Sequence, residues 1–165
     1  MAQSEWRFRQ AQDIDQYSPL TICMEKMTVT YKNIRVGENL PKWSRKTGFM
    51  EWNRYAAVND EFVSIHMDNE AGRRAGNDQG AFGMGNLRFA YIVNALHDWI
   101  GDEGIVREVG CQYRAINQKD DVLTVVGEIT EKKIEDGEKR VYLDIDVVNQ
   151  KGSTTCPGHA IVILP

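Results

Sequence analysis

The stretch from Gly83 to Ile100 constrains the fold more than any other, because it is apolar on nearly all sides when written as a helix. One stripe at helical spacing consists of Met84, Leu87, Tyr91, Ala95 and Trp99. A second stripe beside it consists of Phe89, Ile92, Val93, Leu96 and Ile100. A helix with one solvent-exposed face would carry a stripe of polar residues along that face. We therefore expect this helix to be enclosed over most of its circumference and to end at Gly101.

The sequence after this helix predicts antiparallel strands. Apolar and polar residues alternate in three runs, which are Val109, Cys111, Tyr113 and Ala115; Leu123, Val125, Gly127 and Ile129; and Val141, Leu143, Ile145 and Val147. Turn signals follow at 119–121, 135–137 and 150–152. Such short connections favour an antiparallel meander, because a parallel crossover needs a longer connection. Each strand has one apolar face, so we expect the sheet to pack on one side only.

Two further elements are expected before the buried helix. The β-branched run 24–34 predicts a strand that breaks at Gly37. Residues 49–58 carry apolar side chains at helical spacing and predict a short helix that stops at Asn59-Asp60. Together the elements predict an α+β fold in which an antiparallel sheet wraps around a central helix. We expect 1–20 to be an N-terminal extension and 21–165 a single domain, since no linker or repeat divides it.

Composition narrows the class of protein. The chain has 165 residues, is 42% apolar and carries 20 Lys and Arg against 24 Asp and Glu, which is typical of one globular domain. Three widely spaced cysteines, Cys23, Cys111 and Cys156, indicate free thiols in a reducing compartment. The polar N-terminus predicts a cytoplasmic protein that neither enters nor spans a membrane. The net charge of −4 comes without a basic stripe, so nucleic acid is not an expected partner.

The residues most suited to chemistry lie between Tyr55 and Gly85. Asp60, Glu61 and His66 combine carboxylates with an imidazole, the side chain best suited to proton transfer at neutral pH. Glycines follow at 80, 83 and 85, where the unpaired N–H groups of the helix start could stabilise a developing negative charge. A purely structural interpretation is also open: a helix stop, a hydrogen-bonded histidine and a tight turn.

Three short matches carry a resemblance to a known family. Tyr55-Ala56-Ala57, Ile65-His66-Met67-Asp68 and Gly83-Met84 resemble the hydratase motif of the MaoC-like family, the (R)-specific enoyl-CoA hydratases and acyl dehydratases of the hot dog fold. The turn 149–152 and the C-terminal AIVILP resemble the second half of that family. Val63-Ser64 stands where the family usually has Asn-Pro.

The resemblance implies syn addition of water to a trans-2-enoyl thioester, or its reverse. In the motif the acid precedes the histidine by five positions, which makes Glu61 the first choice and Asp60 the second as partner of His66. Backbone N–H at Gly83, or near Gly85, would polarise the thioester carbonyl. The expected substrate-binding residues are Gly83, Met84, Gly85 and Ser64. The resemblance implies no separate cofactor, since coenzyme A enters as part of the substrate.

Other functions remain open. A hot dog acyl-CoA thioesterase would use a carboxylate and the same helix start without needing His66. The altered motif at 60–64 also fits a non-catalytic acyl-CoA-binding subunit of a heteromeric hydratase. Hot dog domains pair their sheets, so we expect a homodimer or larger assembly. Cys156 and His159 lack a second pair of ligands nearby in sequence, so no metal is expected.

Overall fold

The computed structural model describes residues 29–165, which form one five-stranded sheet and three α-helices. In chain order these are β1 (Trp43–Lys46), α1 (Phe49–Asn59), α2 (Asn69–Arg74), α3 (Gly85–Ile100), β2 (Ile105–Cys111), β3 (Val122–Glu135), β4 (Glu138–Val148) and β5 (Gly158–Ile163). A 3₁₀-helix, Ser64–His66, lies between α1 and α2. The expected extension 1–20 and the start of the expected domain lie outside the described residues.

The sheet order is β1-β3-β4-β5-β2, and every neighbouring pair is antiparallel. The longest pairing joins β3 to β4 through the two-residue turn Asp136-Gly137. Both turn residues have positive φ, 52° and 81°, as a type I′ turn requires. Its backbone twist matches that of the flanking strands, so this hairpin forms where the sequence predicts it.

The core lies between α3 and one face of the sheet. Strand β4 buries Val141, Leu143, Ile145 and Val147, and α3 buries Ile92, Leu96 and Ile100. The α+β class and the sheet wrapped around a central helix are thus confirmed. Helix α3 ends as expected at Gly101, where φ is 69°. Apolar as α3 is, no helix within residues 29–165 has the length and hydropathy needed to cross a bilayer.

Two strand predictions are wrong in part. The strand expected to reach Ala115 ends at Cys111, because the next residues bond to the loop before β5 and to the region around α3. Arg88 of α3 donates to the carbonyl oxygens of Ala115 and Thr155. The expected antiparallel meander is confirmed for β3, β4 and β5 but is wrong for β2, which lies at the sheet edge beside β5. Residues 112–121 pass the start of α3 before β3 begins.

Two further expectations need correction. Of the strand expected over 24–34, the described residues 29–34 contain no strand; Asn33 N–H donates to Thr30 O and closes a turn. The second stripe of α3 is not fully enclosed either. Phe89 is 37% exposed and Val93 is half-buried, because no described element covers that sector. The helix predicted over 49–58 is confirmed, with Asp60 as its left-handed C-cap.

The register of β3 makes a direct prediction about stability. Val125 is 2% exposed and faces α3, whereas its neighbour Val126 is 39% exposed on the outer face. Val125→Ala should lower the free energy of unfolding by about 2 kcal/mol, through lost burial and the cavity left behind. The matched Val126→Ala should change it by about 0.5 kcal/mol. Urea unfolding measures both, and equal losses would contradict the register.

Candidate active site

His66 is held in one tautomer at the start of α3. The side chain is 8% exposed, and its Nδ1 lies 2.7 Å from the carbonyl oxygen of Phe82. A carbonyl can only accept a hydrogen bond, so Nδ1 carries the proton and Nε2 of the neutral ring keeps its lone pair. The ring also meets that of Phe82 edge to face, with centroids 5.4 Å apart. His66 therefore presents Nε2 as a hydrogen-bond acceptor or base.

The two candidate acids occupy different places. Asp60 caps α1 with φ 54°, is exposed, and its side chain makes no hydrogen bond within residues 29–165. Glu61 is half-buried, and its Oε2 accepts a hydrogen bond of 3.3 Å from Nδ2 of Asn86 in the first turn of α3. The structure thus brings Glu61, rather than Asp60, to the helix start that also anchors His66.

The helix start offers free N–H groups, but not at Gly83. The Gly83 N–H donates to the carbonyl oxygen of Asn117 at 2.9 Å. Gly85 and Asn86 open α3, so their N–H groups have no partner within the helix, and neither donates elsewhere in the described chain. These groups lie at the positive end of the helix dipole. The geometry therefore favours Gly85 over Gly83 as a donor to a ligand oxygen.

The sequence analysis assigned Tyr113 to a strand, but the structure places it at the candidate site. A Cβ on Gly85 would lie 2.7 Å from the Tyr113 ring, so only glycine allows this close approach. The Tyr113 hydroxyl donates to Oδ1 of Asn86 at 2.9 Å. Burial, with smaller contributions from Cys111 and Cys156, raises the pKa of Tyr113 to about 12. The hydroxyl therefore stays protonated at neutral pH.

A groove of about 710 Å³ runs between α1 and α3. Its apolar lining consists of Tyr55, Val58, Leu87, Phe89, Ala90, Tyr91 and Val93, with Arg45, Lys46, Glu51 and Arg54 also lining it. Burial and, to a smaller extent, the negative charge of Glu61 raise the pKa of Tyr55. Tyr55, which lines the groove, therefore lies within electrostatic range of Glu61. The exposed sector of α3 forms one wall of this groove.

The other predicted residues have more limited parts. Ser64 is exposed, and its carbonyl oxygen accepts from the N–H groups of Met67 and Asp68. Met84 is fully buried in the core, so only its backbone could face a ligand. Cys111 and Cys156 are free thiols, as expected, and Cys23 lies outside the described residues. Within residues 29–165, no three His, Cys, Asp or Glu side chains are grouped closely enough to hold a metal ion.

Comparison with solved structures identifies the fold. No protein-family model and no curated protein matches this sequence. The unliganded (R)-hydratase PhaJ1 from Pseudomonas aeruginosa matches with a TM-score of 0.75 and 22% identity, over 84% of this chain and 86% of that one. A MaoC-like dehydratase from Rhodospirillum rubrum matches with a TM-score of 0.67 and 17% identity, over 82% and 96% of the two chains. The ChsH1-ChsH2 complex from Mycobacterium tuberculosis matches with a TM-score of 0.69 and 18% identity, over 79% and 98%.

These similarities show that the chain has a hot dog fold, as the sequence resemblance implied. The proteins it resembles in fold are (R)-hydratases and MaoC-like dehydratases, the same proteins that the short motif matches indicated.

The packing at Gly83 can be tested by a double-mutant cycle. A Cβ on Gly83 would lie 1.9 Å from Nδ2 of Asn117, so Gly83→Ala should lower stability by about 1–3 kcal/mol. Asn117→Ala removes the obstructing atoms, and the buried Oδ1 that it deletes has no hydrogen-bond partner. The double variant should recover about 1–2 kcal/mol relative to additivity in urea unfolding. Gly85→Ala should show no such recovery with Asn117→Ala, because its obstacle is Tyr113.

Proposed function

We propose that this protein is a hydratase or dehydratase that adds or removes water at the 2,3-double bond of an enoyl-CoA thioester. One observation carries the proposal: His66 and Glu61 are tied to the same short segment, through Phe82 O and Asn86 Nδ2, at the start of α3. A base, an acid and unpaired helix N–H groups are thereby attached to one segment, and the helix that begins there also lines an apolar groove. The fold similarity to (R)-hydratases supports the same activity.

In the hydration direction, Nε2 of His66 and the carboxylate of Glu61 hold the water. As the water oxygen bonds to the β carbon, one O–H bond of the water breaks and its proton passes to this pair, which then delivers a proton to the α carbon on the same face. The π electrons of the double bond move toward the thioester carbonyl, so its oxygen gains negative charge. The N–H of Gly85 stabilises that oxygen at the positive end of the helix dipole.

We propose that the groove between α1 and α3 binds the acyl chain of the substrate. Phe89 and Val93 lie one turn apart on the same side of α3, and they line the groove together with Tyr55 of α1. An acyl chain lying there would cover the apolar sector of α3 that the protein itself leaves open. This gives the exposed Phe89 a role in substrate binding.

Assembly is part of the proposal. Strands β1 and β2 form the two edges of the sheet, and β2 pairs on one side only, with β5. An unpaired edge is normally covered, and pairing with a second copy would do so. We propose a homodimer or larger assembly. One similar structure is a complex of two different chains, ChsH1 and ChsH2. A heteromer is therefore the alternative to test by mass photometry.

The activity can be tested by following the loss of absorbance of the enoyl-thioester band with crotonyl-CoA and with a longer enoyl-CoA. His66→Ala and Glu61→Gln should each lower kcat/KM by about 10²–10⁴-fold, because each removes a proton-transfer group. Asp60→Asn should have a much smaller effect, since Asp60 only caps α1. His97→Gln, on the exposed face near the far end of α3, is the control for an unaffected histidine.

Two other outcomes would contradict the proposal. Release of free coenzyme A thiol without loss of the double bond would identify a thioesterase. Binding of enoyl-CoA with neither reaction, and turnover only after a second chain is added, would identify a non-catalytic subunit.

Filling the groove should change chain-length preference. Ala90 lines the groove, so Ala90→Phe should raise KM for a long enoyl-CoA by about tenfold and leave crotonyl-CoA nearly unchanged. The same change at the exposed Ala57 of α1, which does not line the groove, is the control. An equal loss with both substrates would mean that the acyl chain lies elsewhere.

A further inference from the structure

Asn86 links the candidate acid to a residue far along the chain. Its side-chain amide accepts a 2.9 Å hydrogen bond from the Tyr113 hydroxyl and donates one of 3.3 Å to Oε2 of Glu61. The amide orientation follows from its two neighbours. A flipped amide would set its oxygen against the carboxylate oxygen of Glu61, so that two acceptors would face each other. Glu61 therefore determines that the Asn86 amide nitrogen faces it, and the Tyr113 hydroxyl restrains the amide by donating to Oδ1.

Tyr113 is 48% exposed, and its ring lies near two residues of α3. Its ring lies against Gly85, where a Cβ would come within 2.7 Å of the ring. Arg88 is on the same helix as Gly85, and its guanidinium lies 5.3 Å from the centroid of the Tyr113 ring. Arg88 is 3% exposed and donates to the carbonyl oxygens of Ala115 and Thr155. Within the described chain no salt bridge draws Arg88 away, so it fixes both the ring and the connection that carries it.

Glu61 has a particular need for such a support. A glutamate has one more rotatable bond than an aspartate, so its carboxylate can sample more positions. Catalysis requires a fixed position, and a displacement of about 1 Å can reduce a rate about 10²-fold. Glu61 lies in the loop after α1, where its N–H donates to Ala56 O and its carbonyl oxygen accepts from Val63 N–H. These bonds fix the backbone, and the hydrogen bond from Asn86 restrains the longer side chain.

We propose that Tyr113 and Asn86 are positioning residues, which hold the Glu61 carboxylate in one orientation at the start of α3. The proposal rests on the proposed function, because it assigns these residues to the hydration step. Neither residue touches the reacting atoms. Tyr113 restrains the amide, and the amide restrains the acid.

The geometry can be tested without any substrate. The side-chain NH₂ resonances of Asn86 in a ¹⁵N-labelled protein are identified by their loss in Asn86→Ser. Tyr113→Phe and Glu61→Gln should each shift them, since each removes or alters one partner of the amide. Tyr142→Phe is the matched control, because the Tyr142 hydroxyl donates to Glu135 instead. Unshifted Asn86 resonances in Tyr113→Phe would overturn the proposal.

The catalytic consequence is tested by steady-state kinetics. Tyr113→Phe and Asn86→Ser should lower kcat by about 10–100-fold with KM changed less than twofold, because binding does not depend on the acid's orientation. Asn53→Ser, on the exposed face of α1, should be unaffected. In a Glu61→Gln background, adding Tyr113→Phe or Asn86→Ser should have no further effect on the residual rate. A full further loss there would indicate a merely structural role and contradict the proposal.

The two sets of measurements separate failure of this proposal from failure of the proposed function. If the wild-type protein hydrates enoyl-CoA and the Asn86 resonances do not respond to Tyr113→Phe, only the positioning role is wrong. If the Asn86 resonances respond and no enoyl-CoA is hydrated, the hydrogen bonds from Tyr113 through Asn86 to Glu61 exist. The proposed function is then overturned, and with it the catalytic role of these hydrogen bonds. Melting temperatures of all variants within a few degrees of wild type exclude loss of folding as the cause.

Discussion

The close packing around the first residues of α3 is the constraint on which the rest of the structure depends. Gly83 leaves no room for a side chain beside Asn117, and Gly85 leaves none beside Tyr113. Both contacts come from the connection 112–121, which the Gly83 N–H and Arg88 bind to the same helix. After β2 and before β3 begins, the chain must therefore pass the start of α3. That passage separates these strands in the sheet and brings Tyr113 to the candidate site.

The fold was predictable wherever burial alone decides local structure. Helix α3 and strands β3 and β4 carry clear apolar periods, because each buries a face against the other. The turn Asp136-Gly137 was predictable because few residues accept two successive positive φ angles. Strand β1 was not, since only four residues, WSRK, pair at an edge and show no alternation. The order of the strands was not predictable either, because β2 pairs with the distant β5 and not with β3, a long-range pairing that no local pattern shows.

The site was predictable only in part, and the reason is again the range of the contacts. His66, Glu61 and Asp60 lie close together in sequence, but only the backbone shows which acid faces the helix: Asp60 takes the left-handed C-cap position, and Glu61 then turns toward α3. Asn86 lies 25 positions from Glu61 and Tyr113 lies 27 from Asn86. No periodicity links such residues. Gly83 had the right residue type for an oxyanion donor, but its N–H is used within the fold.

Under the proposed function, α3 combines two tasks that depend on its rigidity. Its first turn provides the free N–H groups and Asn86, and its open sector at Phe89 and Val93 provides part of the groove wall. From Gly85 to Val93 the helix rises by about 12 Å, at about 1.5 Å per residue. The distance between the reacting carbons and the far end of the acyl chain is then set by the helix and not by a mobile loop. Because the helix is locked at both ends, by the packing at Gly83 and by the cap at Gly101, the groove and the acid keep a fixed relation.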